Sequence, residues 1–231
     1  MTITVEQFGK EMERVNSDVR QVISLFYTYL STHNYAVEER AVFNLYNNSA
    51  EFWNLQHYAM QQAMIIGLGR VFDDVPGSFG INRLFSEAIK HPEFFSRLAL
   101  RERRMAGLQA APDYLDEYIA AAFEPIVADI GRINATLSKH RDEYKATYGK
   151  IRSLVVAHAI ETNPDKINSY LNSTVISNAY AMFEALLYAI RALREDLWLN
   201  GRLPVIGSYS FDEPERIAKM TRQAIGKMIG K

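Results

Sequence analysis

The stretch VFNLYNNSAEFWNLQHYAMQQAMIIGLGRVFDD, residues 42–74, decides the fold class. Val42, Tyr46, Trp53, Met60, Met64, Leu68 and Val71 recur in it at steps of three, four or seven. An α-helix makes a turn every 3.6 residues, so this spacing gathers those side chains on one stripe. The stretch reads as one long helix from about Val37 to Asp73 with a continuous buried seam. DDVPGSFG then supplies the glycine and proline that end it.

The same period runs outward in both directions. Upstream, Phe8, Met12, Val15, Val19, Val22, Ile23 and Phe26 mark a first helix from about Val5 to Ser31, with the polar stretch STHNY as a break before the next. Downstream, two shorter helices are expected over Ile81–Lys90 and Pro92–Met105, with Pro92 in the favourable first turn. A long helical pattern follows on Leu115, Ile119, Phe123, Ile126, Ile130, Ile133 and Leu137, and continues to about Ala157. Pro125 has no backbone N–H and should kink or divide it. ETNPDK breaks the pattern, with Asn163 as a cap. Another helix is expected over Thr174–Leu199, on Val175, Ala179, Met182, Leu186, Ile190, Leu193 and Leu197. NGRLPVIGSYS is a loop, and a final amphipathic helix runs over Glu213–Ile229.

No strong alternating strand, internal repeat or low-complexity segment interrupts this reading. The expectation is an all-α chain, residues 1–231, folding as one domain of long antiparallel helices. Residues 78–112 form a short helical insertion, and 204–231 a C-terminal loop and helix.

Composition agrees with a packed core: 231 residues, 48% hydrophobic and 23% charged. No cysteine is present, which removes disulfides, thiolate metal sites and cysteine nucleophiles. The N-terminus lacks the basic and apolar blocks of a signal peptide, and the apolar stretches are too interrupted to span a bilayer. A cytoplasmic protein with no membrane partner is the expectation. A formal net charge of −1 argues against binding long duplexes by charge alone, but leaves room for a local phosphodiester pocket.

The candidate chemistry lies in YGKIRSLVVAHAIETNP, residues 148–164. Arg152 and His158 are six residues apart. In a regular helix that places them about 120° apart around the axis and about 9 Å along it. They converge only where the helix unwinds near His158 or where a second copy supplies the partner. Tyr144, Tyr148 and Arg152, four apart, share a face. Taken alone, the pair also suits a helix C-terminus, where cations favour the macrodipole.

The spacing Arg152-x5-His158, on a late long helix of an all-α chain, resembles the HEPN superfamily, whose signature is arginine, four to six residues, then histidine. The abortive-infection AbiU-like branch is similar in further segments. These are LGRVFDD ending one long helix, INRLF opening the next, and a later YxxxR…AH, here Tyr148, Arg152, Ala157 and His158. The resemblance spans about Glu39–Leu203.

It implies a HEPN-like bundle, metal-independent ribonuclease activity without a cofactor, and a site formed where two copies pair. Prokaryotic antiviral defence or a toxin role follows, with an antitoxin or defence protein as partner. Arg152 would stabilise the phosphorane and His158 would move the proton. The residue after the arginine is commonly Asn, Asp or His in active members. Here it is Ser153, which still hydrogen-bonds, with shorter reach. Ser153 would orient one of the pair, and Tyr148 would stack on a base or pack. The competing reading is a non-catalytic HEPN-like module that binds RNA, a nucleotide or a protein.

Arg97, Arg101 and Arg104 share a face in SRLALRERRMAG. They read either as a nucleic-acid contact or, in the preferred reading, as a solvated face balanced by Glu93 and Glu102. Asp73 and Asp74 sit against the helix dipole and call for partners such as Arg70 or Arg83. No ligand set for a metal is complete. His158 with Glu161 is too few, and His33, His57, His91 and His140 have no motif context. GLGR, residues 67–70, lies inside a helix and so is not a dinucleotide fingerprint.

Overall fold

The computed structural model describes residues 3–75, 77–157, 163, 165, 166, 169, 174, 176–205 and 212–230. Among them the fold is all-α, with no strand. The first helices are α1 (Val5–Glu38), α2 (Arg40–Asn48) and α3 (Ala50–Phe72). Next come α4 (Ile81–Lys90), a 3-10 turn (Pro92–Phe95), α5 (Arg97–Met105), α6 (Leu115–Ala121) and α7 (Val127–Ala135). Short α-helical pieces at Ser138–Glu143 and Gly149–Ile151 alternate with wider π-wound segments at Tyr144–Tyr148 and Arg152–Ala157. The helix Ile176–Arg191 runs into a π-wound segment, Ala192–Asn200, and Glu213–Met228 is the last helix.

The helices form two compact units. The first comprises Met1–Ser17, Arg70–Lys145 and Thr174–Tyr209; the second comprises Asp18–Gly69, Ala146–Ser173 and Ser210–Lys231.

The first unit is built on aromatic packing. Phe8 of α1 meets the rings of Phe94, Phe95 and Trp198 at 5.4, 5.8 and 5.4 Å. Such tilted and edge-on pairs add to the burial of large apolar surface. Every residue expected on the 174–199 stripe that the structure describes is buried: Ala179, Met182, Leu186, Ile190, Leu193 and Leu197. Gly201 ends this run in the left-handed region at φ 54°. A Cβ there would stand 2.6 Å from Leu100 and 2.9 Å from Ala122, so only glycine fits.

In the second unit Val19, Val22, Ile23 and Phe26 of α1 are buried, as are Val42, Ile65, Leu68, Tyr148, Ile151, Ile217 and Ile225. Glu213 pairs with Arg20, and Glu38 with Arg222 at 2.7 Å, tying the last helix to α1.

Two boundaries differ from expectation. The STHNY break does not occur, and α1 stays helical to Glu38. Thr32 donates its hydroxyl to Tyr29 O at 2.7 Å and His33 Nδ1 lies 2.9 Å from the same oxygen. These side chains serve the preceding turn instead of interrupting it. The helix expected over 37–73 is split at Ser49, after the weak helix formers Asn47 and Asn48. Its seam closes fully only at Val42 and again at Ile65, Leu68, Val71 and Phe72, while Trp53, Met60 and Met64 are half-buried. The pattern beginning at Leu115 is divided at Pro125 as expected, with α6 ending at Ala121 and α7 starting at Val127.

Candidate functional site

Arg152 begins the π-wound segment Arg152–Ala157. A π-turn is wider than an α-turn and recurs at functional sites. His158 itself lies outside the described residues.

Arg152 is half-buried against α3. A Cβ built on Gly69 would lie 2.9 Å from Arg152 Cζ and nearer still to its Nε and Cδ. The guanidinium and its stem thus rest on the bare backbone at Gly69, where any side chain would displace them. Gly67 plays the same part toward α1, since a Cβ there would stand 2.5 Å from Val22 Cγ2. The two glycines of GLGR are therefore close-approach sites. The sequence signal is the glycine itself, which costs a helix interior about 1 kcal/mol against alanine unless packing requires it.

Ser153 is exposed, next to Arg152. Tyr148 is buried in the second unit, with 5% of its surface exposed, so its ring packs inside. Tyr144, in the first unit, is equally buried and stacks on Phe72 at 5.0 Å.

The other two motif segments meet in the first unit. Asn82 of INRLF donates its Nδ2 hydrogens to Phe72 O at 3.0 Å and Asp74 Oδ1 at 2.7 Å, and its Oδ1 accepts from Arg141. Lys145 Nζ lies 3.5 Å from Asp74 Oδ2. Asp74 is thus partnered by Asn82 and Lys145. Gly80, whose Cβ would stand 2.5 Å from Val71 O, lets the chain fold back tightly enough for this.

The arginines of α5 are engaged within the first unit. Arg101 pairs with Asp116. Arg104 bonds Leu199 O at 2.7 Å and Asn200 Oδ1 at 2.9 Å, and lies over the Tyr118 ring at 5.2 Å. Arg97 Nε donates to Ala122 O at 2.8 Å. Arg103 donates to Phe94 O at 2.8 Å and twice to Trp198 O, with its guanidinium 3.9 Å over the indole. Burial lowers the Arg103 pKa to about 10. Three of these arginines cap carbonyls at helix ends, which the dipole favours.

Among the described residues no group of three His, Asp or Glu side chains could hold a metal ion, and no helix is long and apolar enough to cross a membrane. Sequence reasoning passed over one further cluster: His33 and His57 lie with their rings 4.2 Å apart. Twenty-four residues and two helix breaks separate them, so no local spacing announces the pair.

Comparison with protein-family models, with curated proteins and with solved structures finds no match to this chain.

Proposed function

We propose that this chain is a HEPN-type, metal-independent endoribonuclease or ribonuclease-like effector of prokaryotic phage defence or toxin–antitoxin activity. The observation that supports this reading is Arg152 lying on Gly69. It joins YxxxR to LGRVFDD, two of the segments that carry the resemblance, across more than 80 residues of sequence. An arginine held against a rigid helix backbone keeps its planar donor fork aimed at a fixed place. The reaction is attack by the RNA 2′-hydroxyl on the adjacent phosphorus, with loss of the 5′-oxygen. His158 moves the protons, and Arg152 offsets the charge building on the phosphoryl oxygens. Exposed Ser153 orients one of the two.

The active form is a homodimer. Phe52, Leu55, Ala59, Ala63 and Ile66 recur at helical spacing on α3, and all are exposed. No Asp, Glu, Lys or Arg occurs between Glu51 and Arg70. A specific interface needs about 1,000 Å² in all, and this apolar row would form its centre. Gly69 lies roughly 60° around the helix and about 4.5 Å along it from Ile66, so a copy seated on this face stands beside Arg152.

The test is cleavage of single-stranded RNA in EDTA. Wild-type protein cleaves, and folded Arg152→Ala and His158→Ala proteins do not. Equal cleavage by His158→Ala overturns the assignment. Ser153 favours a second reading, a non-catalytic RNA-, nucleotide- or protein-binding module. Binding of RNA without cleavage by wild-type protein would select it.

A further inference from the structure

A second candidate site lies in the second unit, where the chain turns from α1 into α2. Glu39 adopts an extended conformation there, φ −123° and ψ 108°, and opens a cleft between the two helices and α3. The cleft has a volume of about 530 Å³ and is lined chiefly by His33, Val37, Arg40, Phe43, Tyr46 and His57. That is the size of an ordinary small-ligand pocket.

Its walls are flat rings. His33 and His57 lie 4.2 Å apart at 33°, and Tyr46 packs on Trp53 at 4.3 Å and 33°. Tyr29 backs His33 at 4.4 Å, and its hydroxyl accepts from Gln61 at 2.7 Å, which steadies the wall. At the rim Phe43 is 42% exposed, and the Arg40 guanidinium lies 5.0 Å over its ring.

The polar groups are sparse and specific. His33 Nδ1 faces Tyr29 O at 2.9 Å. A carbonyl only accepts, so Nδ1 carries the hydrogen and Nε2 is left as an acceptor. His57 Nε2 is buried and has no hydrogen-bond partner among the described residues. Buried polar atoms normally have one. The lining charges are Glu38 and Arg40. Glu38 is held by Arg222 at 2.7 Å, whereas Arg40 has no ion pair among the described residues. The cleft therefore offers stacking planes, imidazole nitrogens at an edge, and one unneutralised cation. Two histidines alone are too few for a metal.

We propose that this cleft binds an unpaired nucleobase together with its phosphate. The base stacks among the rings, its polar edge meets Nε2 of the exposed His33, and Arg40 takes the phosphate. Aromatic and guanidinium planes are the usual surfaces for splayed bases. The site is separate from Arg152 and does not depend on cleavage there. The nucleotide can be free or part of a single strand, and the two sources are separable.

The experiment is calorimetric titration of the full chain with the four 5′-ribonucleotides, with ribose 5-phosphate and with a mixed-sequence single-stranded RNA decamer. A mononucleotide or the decamer binds, and ribose 5-phosphate binds at least about tenfold more weakly. Binding of mononucleotides assigns a free ligand; binding of the decamer alone assigns a base within a strand. Arg40→Gln and His33→Phe, both at exposed positions, each weaken binding by about tenfold or more, and do so in the Arg152→Ala background as in wild type. The proposal is overturned if neither probe binds, if ribose 5-phosphate binds equally, or if folded Arg40→Gln and His33→Phe proteins bind like wild type. Loss of the Arg40→Gln effect in the Arg152→Ala background overturns it as well.

Discussion

Arg152 lies across the backbone of Gly69, with its Cδ, Nε and Cζ all within 2.9 Å of where a β-carbon on that residue would be. Two residues earlier, Gly67 meets buried Val22 in the same way. One substitution at the two glycines therefore has opposite consequences. In Gly69→Ala the methyl meets a long side chain that swings aside, and alanine's better helix propensity offsets the disturbance. The urea midpoint should stay within the equivalent of about 0.5 kcal/mol of wild type, while RNA cleavage falls at least about tenfold because the guanidinium has moved. In Gly67→Ala the methyl meets a β-branched side chain with nowhere to go, and the loss should be about 1–3 kcal/mol. Equal destabilisation by both would show that Arg152 is not the softer neighbour.

The outward face of α3 predicts association. Leu55 is 64% exposed, so Leu55→Glu costs the separate subunit little. In a two-fold pair it brings two carboxylates into an apolar seam and should weaken dimerisation by at least about 100-fold. Sedimentation equilibrium at micromolar concentration checks this. A wild-type chain that stays monomeric there removes the interface.

Arg103 acts as a bracket. Its fork reaches Phe94 O and Trp198 O at once while it covers the indole. Lysine cannot repeat a planar, three-bond arrangement. Arg103→Lys should lower stability by about 1–3 kcal/mol in urea unfolding, with RNA cleavage per folded molecule unchanged.

His57 makes stability depend on pH. Burial, with the neighbouring charge of His33, holds its pKa below the ordinary histidine value. The unfolded chain titrates near 6.5 and so binds the proton first as pH falls. The stability associated with neutral His57 is fully present above about 6.5 and is lost as pH falls through the lower folded pKa. Tyr46, whose hydroxyl is pushed up to about 12 by burial, stays neutral throughout and adds nothing to this window. Urea midpoints at pH 7.5 and 5.0 should therefore diverge less in His57→Phe than in wild type.

Helix positions were the most legible feature of the chain. The α1 stripe from Phe8 to Phe26 and the stripe from Ala179 to Leu197 are buried as the 3.6-residue period requires. Ile81–Lys90 has the bounds expected for it. Breaks were harder to place, because Thr32 and His33 look like loop residues until their bonds to Tyr29 O are seen. Of the candidate site, Arg152 could be singled out from its spacing, and the proximity of Gly69 could not. Arg101 and Arg104 read as a basic face, yet their donors meet Asp116, Leu199 O and Asn200.

An all-α chain with its helices near these positions is written in the order of residues, because amphipathic periodicity and proline or glycine breaks are local properties. Which glycine makes room for Arg152, which carbonyls occupy the α5 arginines and which histidines pack together beside a cleft are contacts between distant segments. They exist only once the helices pack, since packing, not spacing along the chain, sets the distance between side chains more than a few turns apart.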